Sequence, residues 1–240
     1  GLVAAAVAAG FVDAIAGGGG LITVPVLMLA GMTPEQALAT NKLQGSFGAA
    51  TAAVSYGRSG LVDLRRQLPT AALAFAAGGA GAALVTALPT EVLRLALPVV
   101  LIGIALFFAL KPGLNDLDRA ARLSPALFGL TLVPAIGFYD GLIGPGAGAF
   151  YMLGFVMLAG HGVLRATAHT KLLNFASNLG GLAVFAFSGH PVWLLGLLMG
   201  AGQILGAALG ARLALRSGAR IIKPLLVVTS TVLAARLLWQ

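Results

Sequence analysis

"GFVDAIAGGGGLITVPVLMLAG", residues 10–31, sets one aspartate, Asp13, and four consecutive glycines, Gly17 to Gly20, inside an otherwise apolar stretch. Glycine is the poorest helix former after proline, so four in a row interrupt a helix. The segment therefore reads as two short helical limbs of roughly 10 to 14 residues, too short to cross a bilayer but long enough to reach its middle. The rest of the chain identifies the solvent in which that break is made. Of 240 residues, 59% are hydrophobic and only 9% charged, with a mean hydropathy of +0.98, against roughly 25% charged residues in soluble domains. The apolar stretches come in blocks of about 20 residues, the length of a transmembrane helix, with no long alternating pattern of a barrel. An all-α polytopic membrane protein is expected. Broken backbone at membrane depth is tolerated only where it is buried in protein or lines a cavity. A helix N-terminus created there attracts an anion. The glycines are thus expected to build a binding site.

The opening stretch recurs as "GFYDGLIGPGAGAFYMLGFVMLAG", residues 137–160. Asp13 matches Asp140, and Gly17, Gly18 and Gly19 match Gly144, Pro145 and Gly146. After a two-residue insertion, "ALATNKLQ" (37–44) overlays "ATAHTKLL" (166–173), so Lys42 matches Lys171; further on, "GAAL" at 81–84 recurs at 206–209. The chain reads as a tandem duplication: a first transmembrane repeat over 1–110, a linker over 111–123 and a second repeat over 124–240. Internal symmetry of this kind is a mark of transporter folds. Gly1 stands where an initiator Met would, so a few further residues are expected ahead of it.

Six segments read as full spans: 35–57, 68–88, 91–110, 163–187, 191–212 and 219–238. Whether the glycine-broken units cross or turn back is decided by charge. If they cross, the loops carry seven Lys/Arg on one side and six on the other. If they turn back, Arg58, Arg65, Arg66, Lys111, Arg119, Arg122, Arg165, Arg212, Arg216, Arg220 and Lys223 share one side and only Arg94 and Arg236 lie opposite. Eleven against two obeys the positive-inside rule. Each half is then a glycine-broken re-entrant hairpin plus three transmembrane helices. That odd number of crossings inverts the second repeat, puts the linker in the cytoplasm and leaves both termini outside. The net charge of +8 belongs to these short loops, so no nucleic-acid partner follows. The partners expected are the lipid bilayer and a small anionic substrate, and a homo-oligomer is compatible with the sequence.

Lys42 and Lys171 each fall roughly 10 to 12 Å into a span, entered from opposite faces. A charge at that depth costs about 2.5–3.5 kcal/mol to insert and is by default functional. The competing readings are a lysine that snorkels to the interface, or one that pairs with Asp13 or Asp140. The two aspartates are candidates for proton coupling or, equally, structural caps and counter-ions. Asn41 and Gln44 add polar groups to the first span, and His169, Thr170, Asn174 and Asn178 to the second. Lys171, Asn174 and Asn178 are spaced i, i+3, i+7 and share one helix face. His169 titrates near neutrality and is a third candidate for proton coupling, although a packing role is commoner. Gln203 either meets substrate or bonds between helices, and the Gly202-x-x-x-Gly206-x-x-x-Gly210 steps read as close helix packing. The absence of cysteine removes thiol chemistry and disulfides, and neither a metal site nor a cofactor is expected. There is no GK[ST] after the glycines, no HExxH and no intramembrane Ser/His pair, which argues against an ATPase or other enzyme.

At these residues the chain resembles the TauE/SafE family of sulfite exporters and organosulfur permeases, over nearly all of its length. The resemblance is carried by "GFVDAIAGGGGLITVPVL" with "ATNKLQGSFGA", and by the 137–160 stretch with "RATAHTKLLNFASNLG". It implies secondary transport of sulfite, thiosulfate, sulfonates or other small sulfur-containing acids without ATP, across a bacterial inner membrane. It points to the glycine turns and to Asn41, Lys42, Thr170, Lys171 and Asn174. Pro145 in place of Gly18, and Leu173 in place of Gln44, make the two halves chemically unequal. The expected substrate-binding set is Gly17, Gly18, Gly19, Gly20, Asn41, Lys42, Gln44, Gly144, Gly146, Thr170, Lys171, Asn174 and Asn178. A passive anion channel is the alternative.

Overall fold

The computed structural model describes residues 1–110, 117–218, 220–222, 224, 225 and 228. Its helices are α1 (Leu2–Ala16), α2 (Gly19–Leu29), α3 (Pro34–Arg58), α4 (Leu64–Thr86), α5 (Thr90–Leu110), α6 (Pro125–Leu142), α7 (Ala147–Met157), α8 (Val163–Ser188) and α9 (Trp193–Ser217). Five of the six expected spans correspond to α3, α4, α5, α8 and α9. The sixth, 219–238, lies mostly outside the described residues, as do Lys111, Lys223 and Arg236 of the charge count. Helix starts follow local chemistry. Thr33 and Gln36 form a capping box ahead of α3, the Asp63 carboxylate caps α4, and Ser124 with Pro125 opens α6. That start carries α6 well upstream of Gly137, where the repeat becomes visible in the sequence.

Both glycine-broken units are helical hairpins. Gly19 abuts Asp13 and the carbonyl of Ala9, so α2 runs back along α1. Tyr151 of α7 donates to the Val133 carbonyl of α6 at 3.2 Å, and Phe155 packs on Phe128, ring centroids 4.6 Å apart. The reversals need a left-handed backbone, which Gly17 (φ 77°) supplies in the first hairpin and Gly144 (φ 95°) and Gly146 (φ 84°) in the second.

Helices α3 and α8 cross at the centre, with α9 against α3 and α4 against α8. Helix α1 packs on α9, and α6 on α4. Small residues set these approaches. A Cβ on Gly206 would meet the Val7 carbonyl, and one on Gly141 the carbonyl of Gly78, so the backbones touch where a side chain would hold them apart. Gly81 meets the carbonyl of Phe138 and Gly210 that of Phe11. Because Phe11 and Phe138 are repeat mates, packing pairs Gly81 with Gly210, one turn beyond the "GAAL" match.

Polarity is inverted relative to a soluble protein. Phe187 is 95% exposed, Leu95 75% and Leu194 74%, while Asn41, Lys42, Gln44, Thr170, Lys171, Asn174, Asn178 and Gln203 are buried. Helices α4, α6 and α9 are long and apolar enough to cross a membrane. Much of the polarity of α3 and α8 is turned inward, and it lowers their hydropathy without placing those groups against lipid. The chain is an all-helical membrane protein.

Candidate functional site

The two hairpin tips meet. The Ala149 amide of the second donates to the Gly17 carbonyl of the first at 2.8 Å, and around this contact lies a cavity of about 30 Å³. Its wall combines glycines of both tips (Gly17, Gly19, Gly20, Gly144, Gly146, Gly148) with Asp13, Asp140, Asn41, Asn174, Asn178 and Gln203. Helices α2 and α7 both begin here, presenting first-turn N–H groups that have no acceptor within their own helix.

Each half's lysine is bound to the other half's aspartate. Lys42 of α3 donates to the Asp140 carboxylate of α6 at 2.5 Å and to the Asp140 carbonyl. Lys171 of α8 donates to the Asp13 carboxylate of α1 at 3.4 Å and to the Asp13 carbonyl. The ammonium groups thereby satisfy carbonyls close to the C-terminal ends of α1 and α6, where the helix dipole is negative. Both lysine side chains are fully buried, which excludes snorkelling to the interface.

The crossed pairs are unequal. Asp140 also accepts from the Ser177 hydroxyl, and its side chain is 2% exposed; Asp13 is 16% exposed, and its other oxygen accepts the Gly19 N–H at 3.1 Å.

A chain of carboxamides orients one wall. Gln203 donates to the Gln44 oxygen at 3.1 Å, Gln44 donates to the Asn41 oxygen at 3.1 Å, and the Thr23 hydroxyl donates to the same oxygen at 2.6 Å. With its oxygen doubly engaged, Asn41 turns its NH₂ toward Gly20. Asn178 donates to the Asn174 oxygen at 3.2 Å, and the Asn174 NH₂ lies by Gly148. Donors therefore face the place where the two helices begin.

The structure brings together Gly17, Gly19, Gly20, Asn41, Gly144, Gly146, Asn174 and Asn178, along with both aspartates. Lys42, Lys171 and Gln44 stand directly behind them, and Gly18 caps α2 outside the cavity wall. Thr170 is turned to its own helix, donating to the Ala166 carbonyl. His169 faces elsewhere, into a second cavity of about 480 Å³ lined also by His161, Gln67, Arg66 and Arg165; its ring is 4.7 Å from that of His161. Gln203, Gly148, Thr23 and Ser177 are the site residues that the expected set lacks. Gln203 had a signal, a carboxamide amid apolar residues of a span, while the other three had none.

This geometry of two polar hairpin tips can be set beside known proteins. A profile of the family described as sulfite exporter TauE/SafE matches residues 2–237. The chain belongs to the TauE/SafE family. It is 57% identical over 237 residues to "Probable membrane transporter protein ORF9" of a Sinorhizobium species, covering 99% of this chain and 91% of that protein. "Probable membrane transporter protein YfcA" of Escherichia coli K12 is 46% identical over 235 residues, covering 98% and 87%. A "Probable membrane transporter protein" of Haemophilus influenzae is 41% identical over 232 residues, covering 97% and 91%. No solved structure matches the chain. It is a multi-pass membrane protein of a transporter family with bacterial homologues, and enzymatic activity is no part of that assignment.

Proposed function

We propose that this TauE/SafE protein is a secondary transporter in the bacterial inner membrane that carries small anions, namely sulfite, thiosulfate or organosulfur acids, and binds them between the hairpin tips. In this reading 1–110 and 124–240 are inverted repeats joined by a cytoplasmic linker, 111–123, and each hairpin is re-entrant. The reciprocal packing supports it: α1 on α9 answers α6 on α4, α3 on α9 answers α8 on α4, and the lysine–aspartate pairs cross in the same sense. The observation that carries the substrate class is the cavity, whose donors are the carboxamide NH₂ groups of Asn41 and Asn174 and, in the first turns of α2 and α7, the N–H groups of Gly20 and Gly148, joined by that of Ala149 when it leaves the Gly17 carbonyl. Lys42 and Lys171 supply positive charge behind it. At about 30 Å³ the cavity holds about two waters. An anion therefore enters only when the tip-to-tip bond opens, as alternating access requires and a standing pore does not.

Counterflow in proteoliposomes against sulfite, thiosulfate, sulfonates, sulfate and carboxylates tests the proposal. Saturable counterflow of a sulfur anion is expected. Unsaturating currents without counterflow would replace the transporter with a channel.

A further inference from the structure

The charges at the site balance without a substrate. Among the described residues, Asp13 and Asp140 are the ionisable groups in the cavity wall, and Lys171 and Lys42 match them one for one. An anion arriving in this neutral site would leave an uncompensated negative charge at membrane depth, where charge is most costly. A positive charge must enter with it, and a carboxylate is what can take up a proton. We propose that Asp13 is the group that takes up this proton, and that the Lys171 ammonium released by its neutralisation becomes the countercharge of the bound anion. The proposal rests on the transport reading above.

Geometry separates the two carboxylates. Asp140 is closed in: Lys42 bonds it at 2.5 Å, the Ser177 hydroxyl holds its other oxygen, and the side chain is 2% exposed. Asp13 meets Lys171 at the longer 3.4 Å, its second oxygen accepts one backbone N–H, and it is 16% exposed in a wall of the cavity. A proton crossing the cavity reaches Asp13 first. Among the described residues, the other elements around Asp13 bring no competing base. Tyr56 of α3 commits its hydroxyl to the Ala14 carbonyl at 2.8 Å, α2 offers the Gly19 N–H, and α9 offers the neutral Gln203. Asp140 of α6 lies across the cavity and keeps its own lysine. His169 lines the separate cavity beside His161.

The step balances simply. A hydronium ion reaching the cavity gives its proton to Oδ2 of Asp13: one O–H bond breaks on the donor, which leaves as water, one forms on the carboxyl, and the site goes from zero to one positive charge. A monoanion returns it to zero. Lys171 stays in place because it also holds the Asp13 carbonyl. On the same helix, Asn174 and Asn178 are one and two turns away, on the face that meets the anion. One proton thus moves per cycle, so a monoanion travels without net charge, whereas a dianion leaves one negative charge that the membrane voltage acts on.

The test uses the full chain in proteoliposomes with radiolabelled sulfite, and thiosulfate as a second probe. Wild type is expected to accumulate both anions under an inward proton gradient, with a trapped pH dye recording one proton per anion for thiosulfate, the probe on which the ratio is read because hydrogensulfite would bring a proton of its own. Asp13→Asn, which carries no titratable group, is expected to lose proton-driven accumulation at least tenfold more than it loses counterflow, and Asp13→Glu to recover it. Proton-driven accumulation retained in Asp13→Asn would overturn the proposal. So would a wild-type proton-to-anion ratio near zero alongside intact counterflow; that ratio decides the matter even if Asp13→Asn fails to fold. Absence of counterflow for both probes would instead remove the transport reading beneath it.

Discussion

Removing each lysine in turn exposes how unequal the crossed pairs are. Lys42→Ala leaves the Asp140 carboxylate 2% exposed with Ser177 as its remaining side-chain partner, and strips the donor from the Asp140 carbonyl. Breaking a buried pair from one side costs about 3–5 kcal/mol. Lys171→Ala leaves Asp13 facing the cavity with the Gly19 N–H still bound, a partly solvated group for which about 1–3 kcal/mol is expected. The difference of about 2 kcal/mol is roughly thirtyfold in the folded ratio. Equilibrium unfolding of purified protein in micelles, followed by tryptophan fluorescence, measures both. Lys42→Met combined with Asp140→Leu removes the pair together and is expected to recover most of the loss, since well-packed apolar replacements of a buried ion pair are often neutral. A cost below about 1 kcal/mol for Lys42→Ala, or equal costs for the two lysines, would refute the argument from burial and pair geometry.

Gln203→Leu takes from Gln44 the bond that steadies it as one of the two donors on Asn41, and is expected to weaken anion binding by about two- to tenfold, the worth of one neutral hydrogen bond; calorimetry in an Asn41→Ala background should show a smaller loss from Gln203→Leu, since part of its effect passes through Asn41. Gly206→Ile would drive a side chain into the Val7 carbonyl, so size-exclusion chromatography is expected to show loss of monodisperse protein. Single cysteines at Ser59 and Asn115 are expected to stay protected from an impermeant maleimide in sealed cells, and one at His190 to react. At the loop before α8, Asp118 accepts the Gly162 N–H at 2.6 Å and then Arg165 at 3.1 Å, which holds its pKa below the ordinary carboxylate value. That contact is fully present above the ordinary value and is lost as pH falls through the lower folded one. The hydrogen-exchange protection factor of the Gly162 amide should therefore fall only in strong acid, and Asp118→Asn should make it independent of pH.

The helical hairpins and the burial of the lysines were legible because membrane physics leaves few reasons for four glycines in a row or an ammonium inside an apolar stretch. The partner of each lysine was not. Asp13 and Asp140 are equivalent in sequence, and only the crossing of α3 with α8 decides that Lys42 meets the aspartate of the other half. The i, i+3, i+7 spacing put Asn174 and Asn178 on the face of Lys171, and the same helical period already turned His169 roughly 140 to 200° away from all three; what spacing could not show is where its ring goes, against Phe155 and His161. The upstream reach of α6 was hidden because residues 125–136 share no motif with the start of the chain, so the repeat became visible only from Gly137.

The crossed pairs also bear on how the protein is made. Lys171 lies 158 positions beyond Asp13 in the chain, so the first hairpin enters the bilayer with its aspartate unmatched and must wait for α8 to be synthesised. Either half made alone would hold one orphan lysine and one orphan aspartate. In the inverted-repeat arrangement proposed above, two copies of a half facing each other in opposite orientations would satisfy all four. An ancestral antiparallel pair of identical short chains would thus already have possessed the complete charge arrangement before gene fusion joined them, and fusion would have fixed the partners' ratio and order of arrival without asking either half to invent a new contact.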